Sequence, residues 1–166
     1  MKSLDTDIQH TVQQLLPLLV ARGQHLVTAE SLSGGQLAAA IVSVPGASAV
    51  FLGGVIVYAS ELKASLLGVS AELLAEHGPV HPMVAEEMAV GALRVLAVDR
   101  APHTIALATT GVAGPDSQGG QPPGTVFVGM ASDAGSRVQA FNFAGDRAEI
   151  QQQAVLAALK MALEHV

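Results

Sequence analysis

From Ser31 to Ser60 the chain carries no charged residue. The stretch is longer than the roughly 20 apolar residues that span a bilayer. Either it crosses a membrane or it builds the interior of a domain. The pairs Gly34-Gly35, Pro45-Gly46 and Gly53-Gly54 break it, and Ser43 and Ser48 dilute it. A Pro-Gly interruption in mid-span leaves backbone groups that lipid cannot satisfy. The segment therefore reads as a helix, a turn and a buried strand, with no membrane partner.

The rest of the chain repeats that alternation. A 3.6-residue stripe of Ile8, Val12, Leu15, Leu16 and Leu19 predicts a helix over 7–22. Strands are expected at 25–29, 50–58, 104–109, 125–131 and 137–143. Helices are expected at 33–44, 61–67, 71–77 and 82–98. Pro82 suits a first helical position. Asp146 with Glu149 predicts a capping box for the last helix. Helices alternate with strands early, and neighbouring strands come late. That order fits an α/β chain, a three-layer α/β/α sandwich with a mixed sheet. The strands read as continuous apolar runs, the pattern of strands buried on both faces.

The 166 residues fit one domain, 1–166, with no internal repeat or linker. Hydrophobic residues make up 50% but aromatic ones only 3%, so Ala, Val, Leu and Ile must fill the core. A net charge of -6 argues against a broad nucleic-acid surface. With no cysteine, a thiol nucleophile, disulfides and thiolate metal sites are all excluded. That fits a cytoplasmic location. Asp5, Asp7 and His10 interrupt the apolar run a signal peptide needs. His77 and His81 are four apart, but Gly78-Pro79 breaks a helix that would align them, so no metal is expected.

Four segments could carry chemistry. Thr28 to Gln36 runs from a strand end into a helix start, where free N–H groups can hold an oxyanion or a phosphate. Ser33 with Gln36 fits a capping box. Ser31 is not needed for that cap, and is either a nucleophile or one more serine near a helix start. Tyr58 to Lys63 places Lys63 in a first helical turn, against the dipole. Burial there would ease loss of its proton and let it serve a serine as general base; the alternative is a solvated lysine beside Glu61. Thr109 to Gly124 is a Gly- and Pro-rich loop after a strand, where ligands gather in α/β sheets. It is neither a P-loop nor a dinucleotide fingerprint. In Phe143 to Arg147, Arg147 could bind a phosphate, pair with Glu149 or meet a partner subunit.

Ala29-Glu-Ser-Leu-Ser-Gly-Gly35, Val44-Pro-Gly-Ala-Ser48, Tyr58-Ala-Ser-Glu-Leu-Lys63, Leu67-Gly-Val69, His77-Gly-Pro-Val80, Thr110-Gly-Val-Ala-Gly-Pro115, Pro122-Pro-Gly-Thr-Val126 and Gly145-Asp-Arg147 follow in order. Together they resemble the C-terminal domain of the competence/damage-inducible protein CinA and its stand-alone form, the nicotinamide-nucleotide amidase PncC. The resemblance covers nearly the whole chain.

It implies deamidation of nicotinamide mononucleotide, a pyridine nucleotide, to nicotinate mononucleotide and ammonia, without a cofactor, in a homodimer. Ser31 matches the nucleophile, Lys63 the general base and Tyr58 the tyrosine lining the site. Glu30, Ser33, Gly34, Gly35, Thr110, Gly111, Ala113, Gly114 and Arg147 would bind substrate, with the oxyanion near Gly34 and Gly35. The chain departs from the family pattern: Leu32 stands for Cys, Ser33 for Thr, Ser60 for Asn and His81 for a capping Ser. Gly53 and Gln151 stand for Arg, and Gln121 for Lys. If those last three positions face the ligand, each lost charged hydrogen bond weakens phosphate recognition by roughly 1.5–3 kcal/mol. The family also contains inactive paralogues. Two further readings therefore stand beside the amidase: a non-catalytic nucleotide-binding or regulatory protein, and an amidase for a less phosphorylated substrate.

Overall fold

A computed structural model describes residues 3–166. Five strands form one mixed sheet in the order β2-β1-β3-β4-β5. β1 (His25–Glu30) lies parallel to β2 (Phe51–Ile56) on one side and to β3 (Thr104–Gly111) on the other. β4 (Thr125–Ser132) and β5 (Gly135–Asn142) complete the sheet as an antiparallel hairpin. The expected three layers are present. α1 (Leu4–Arg22), α2 (Gln36–Val42) and α6 (Arg147–His165) cover one face around Leu15, Leu37, Leu107 and Leu159. α3 (Ser60–Leu67), α4 (Ala71–His77) and α5 (Pro82–Leu96) cover the other around Val27, Met88, Ala106 and Ala108.

Small residues set how closely the elements approach. A Cβ at Gly91 of α5 would run into the Leu67 carbonyl at the end of α3, and one at Gly129 of β4 into the Ala85 carbonyl. Arg94 Nη2 also donates to the Leu67 carbonyl at 2.9 Å. α3, the helix that carries Lys63, is thereby fixed against α5.

Two sequence expectations change. The run 50–58 is not a doubly buried strand: β2 is an edge strand of half-exposed residues, with Ile56 54% exposed. β5 is the opposite edge and is largely exposed. Only the pairing order shows which strand lies outside. The helix expected from Ser33 starts at Gln36, behind a tight turn whose Gly34 and Gly35 both have positive φ. By contrast, the Asp146–Glu149 capping box is formed in full. No helix among the described residues is long and apolar enough to cross a membrane.

Candidate active site

β1 occupies the point where the sheet's connections reverse. From β1 the chain passes through α2 on one face to β2, then returns through α3 to α5 on the other face to β3. Such a switch opens a crevice beyond the carboxyl ends of the strands. Ser31 follows β1, Tyr58 and Lys63 follow β2, and Thr110 to Gly114 lie at the end of β3. They line one cleft of about 90 Å³, together with Arg147 from the start of α6.

The turn that carries Ser31 is held from behind. Ser31 N–H donates to the Thr109 carbonyl at 3.0 Å. Glu30, only 1% exposed, points its carboxylate back under α2. It accepts the Ser33 hydroxyl at 2.8 Å and the N–H groups of Gly35, Leu37 and Ala38 at 2.8–3.0 Å. The Ser33 hydroxyl also bonds Thr109 Oγ1 at 2.7 Å. The Ser33–Gln36 capping box is therefore not formed. Glu30 caps α2 instead, and a carboxylate there meets both the free N–H groups and the helix dipole. Glu30, Ser33, Gly34 and Gly35 all stand behind the cleft, not among its lining.

Lys63 lies in the first turn of α3 and is 1% exposed. Its Nζ donates to the carbonyls of Val57 at 2.7 Å and Tyr58 at 3.2 Å. Burial pushes its pKa down from 10.5 to about 8, against a smaller upward pull from Glu61. The solvated-lysine alternative does not survive. A neutral amine has two N–H groups and one lone pair. Two carbonyl acceptors match that form and leave the lone pair free. The Ser31 hydroxyl, 8% exposed, has no hydrogen-bond partner among the described residues. Ser31 and Lys63 thus share the cleft without a direct bond, as catalytic pairs often do before substrate tightens them.

Arg147 spans the rim. Its Nη1 donates to the Gly114 carbonyl at 2.7 Å and its Nη2 to the Tyr58 hydroxyl at 3.0 Å. The expected alternative partner, Glu149, is committed to the capping box through the Asp146 N–H. Among the described residues the close contacts between basic and acidic side chains are His77–Glu76 and His103–Asp133, so Arg147 faces the cleft with its charge unpaired. The Thr110 hydroxyl donates to the Pro79 carbonyl, tying the loop after α4 to the cleft wall. His81, where a capping Ser was expected, caps α5 itself, with Nδ1 accepting Met83 N–H at 3.3 Å.

Gly53, Gln121 and Gln151 do not line the cleft. Gly53 sits in the edge strand. Gln151 holds the Leu32 carbonyl at 2.8 Å and accepts from Gln36. Asp116, Gln118, Pro79 and Val80 also line the cleft. No single one of them was separable in the sequence, although all lie within segments singled out there.

The fold and cleft define a three-layer α/β/α domain with a serine and a buried lysine at the carboxyl ends of its parallel strands. The chain belongs to the CinA C-terminal domain family, which it matches over residues 8–166. It is 45% identical over 147 residues to a CinA-like protein of Frankia casuarinae, covering 89% of this chain and 33% of that one. A CinA-like protein of Citrifermentans bemidjiense is 42% identical over 156 residues, covering 92% and 36%. The chain thus spans about a third of the length of these curated relatives. A CinA superfamily protein of Escherichia coli superposes with a TM-score of 0.90 at 30% identity, over 100% of this chain and 95% of that one. The competence/damage inducible protein CihA of Agrobacterium tumefaciens superposes with a TM-score of 0.88 at 32% identity, covering 95% and 94%.

Proposed function

We propose that the chain is an amidohydrolase that deamidates nicotinamide mononucleotide to nicotinate mononucleotide and ammonia. The observation that carries this reading is the buried Lys63, with a pKa near 8 and two carbonyl acceptors, in the same cleft as an unpartnered Ser31 hydroxyl. Lys63 takes the Ser31 proton as Ser31 Oγ attacks the carboxamide carbon. Collapse of the tetrahedral intermediate breaks the C–N bond. Lys63 returns the proton to the leaving nitrogen, and ammonia departs. Water then hydrolyses the acyl-enzyme, with Lys63 again as base.

About 90 Å³ is small beside the roughly 300–1,000 Å³ of sites that enclose drug-sized ligands. The cleft suits the carboxamide end of the substrate, with the ribose and phosphate at the rim beside Tyr58 and Arg147. The unpaired Arg147 favours a phosphorylated substrate over the nucleoside.

The test is ammonia release from nicotinamide mononucleotide, beside nicotinamide riboside and nicotinamide. The expected result is turnover of the mononucleotide that Ser31→Ala abolishes. No ammonia from any of the three would overturn this substrate reading.

Homodimer formation belongs to the same proposal. Leu62 and Leu66, one turn apart on α3, are 45% and 40% exposed and offer an apolar surface for a second copy. Light scattering showing only monomer at micromolar concentration would remove it.

A further inference from the structure

The chemistry proposed above needs donors for the oxygen that becomes negative when Ser31 attacks. The N–H groups of Gly34 and Gly35, expected to serve, are already used: Gly34 donates to the Ser31 carbonyl at 3.1 Å and Gly35 to the Glu30 carboxylate at 2.9 Å. Neither residue lines the cleft.

Leu32 and Ala113 do line it. Both side chains belong to the apolar core on the α1/α6 face, at 3% and 6% exposure. What they offer the cleft is therefore backbone. Among the described residues, the N–H groups of Leu32, Ala113 and Gly114 donate to nothing, whereas Ser31 N–H and Val112 N–H are both bonded. An unpaired N–H in so tight a place has a reason to exist when a ligand oxygen completes it.

Two independent contacts hold these donors in place. Gln151 Nε2 donates to the Leu32 carbonyl at 2.8 Å, fixing the peptide beyond Leu32. Arg147 Nη1 donates to the Gly114 carbonyl at 2.7 Å, fixing the loop after β3. One arm thus follows the nucleophile directly and the other comes from a separate loop. α/β-hydrolases build their oxyanion hole on the same plan.

We propose that the oxyanion hole is formed by the N–H of Leu32 and the consecutive N–H groups of Ala113 and Gly114, with Gln151 and Arg147 as positioning residues. The assignment rests on the Ser31–Lys63 amidase reading. As Oγ bonds to the carbonyl carbon, the π pair moves onto oxygen, and these donors receive that charge. When C=O re-forms, the C–N bond breaks and the donors are released.

Amide-to-ester replacement removes one N–H and weakens the preceding carbonyl as an acceptor, which at Ser31 and Val112 loosens the bonds from Gly34 and Gly124 N–H, so Tm is measured beside kcat. The three variants are Leu32→leucic acid, Ala113→lactic acid and Gly114→glycolic acid, in the full chain. kcat for ammonia release should fall roughly 10²-fold for Leu32 and for at least one of the other two, with KM nearly unchanged. Rates within threefold of the wild type at Leu32, or at both Ala113 and Gly114, would overturn the assignment.

A crystal structure of the wild type with the 3-carbaldehyde analogue of nicotinamide mononucleotide serves if an ester variant does not fold. The Ser31 hemiacetal oxygen should lie 2.7–3.1 Å from Leu32 N and from Ala113 N or Gly114 N. An oxygen placed elsewhere overturns the proposal.

If the wild type releases no ammonia, the substrate reading has failed on its own. Ser31-dependent hydrolysis of p-nitrophenyl acetate then reads the same donors, with the same roughly 10²-fold losses expected. An absence of that hydrolysis as well would overturn the oxyanion hole with the amidase.

Discussion

The Glu30 carboxylate and the Ser33 hydroxyl meet at 2.8 Å beneath the Ser31 turn, both fully withdrawn from solvent. The same carboxylate also takes three backbone N–H groups at the start of α2. The nucleophile's turn is thus held by an anion that never reaches the cleft. Glu30→Gln keeps the shape but directs an NH₂ group at donors. At least one buried hydrogen bond is lost and one N–H is left unpaired, so the fold should lose about 2–4 kcal/mol. For a chain of this size that lowers Tm by roughly 4–16 °C. Thermal and urea denaturation measure it. A variant as stable as the wild type would remove Glu30 from the turn's support.

Legibility followed the range of each interaction. The Asp146–Glu149 box spans three residues and was legible, as were the limits of α4. The Ser33–Gln36 box satisfied the same local pattern and is absent, because a buried carboxylate at Glu30 outcompetes a hydroxyl for the helix's N–H groups. The apolar run ending at Tyr58 looked interior because apolarity does not record pairing order. Ser31, Lys63 and Tyr58 stood out by their positions after strands and by family resemblance. That Gln151 holds the Leu32 carbonyl, 119 residues away, was not legible in any local window.

Lys63 also sets the pH dependence. With its pKa held near 8, the neutral fraction that can act as a base falls about tenfold for each pH unit below that value. kcat/KM should therefore rise as pH passes upward through about 8 and level off above it. Between about 8 and the ordinary 10.5 the unfolded chain binds more protons at this lysine than the folded one. This group's contribution to stability therefore increases with pH across that window. A kcat/KM profile flat from pH 6 to 10 would mean that Lys63 is not the base.

Arg147 tests which substrate the rim recognises. Its guanidinium is held by two neutral oxygens and paired with no carboxylate among the described residues. A phosphate docking there would gain a charged hydrogen bond of about 1.5–3 kcal/mol. Arg147→Ala should then reduce the kcat/KM preference for nicotinamide mononucleotide over nicotinamide riboside by roughly 10- to 150-fold. Loss of the Gly114 contact would slow both substrates together, so the ratio isolates phosphate recognition. An unchanged ratio would place the phosphate elsewhere.

Lys63→Arg separates charge from basicity. Arginine stays protonated in proteins, so it keeps the positive charge and donates hydrogen bonds but cannot accept the Ser31 proton. If Lys63 served only to attract an anion or to hold the Val57 and Tyr58 carbonyls, arginine would replace it with modest loss. If Lys63 activates Ser31, turnover should fall by roughly 10²-fold or more. Ligand binding, followed by thermal shift, should persist in Lys63→Arg and in Ser31→Ala alike. The longer side chain must fit a position only 1% exposed, so Tm without ligand is measured beside kcat. A fall in kcat at unchanged Tm then reports chemistry, not packing. A Lys63→Arg enzyme within a few-fold of the wild type would end the Ser–Lys mechanism. Tyr58, whose hydroxyl already meets Arg147 at 3.0 Å, would then be the next base to test.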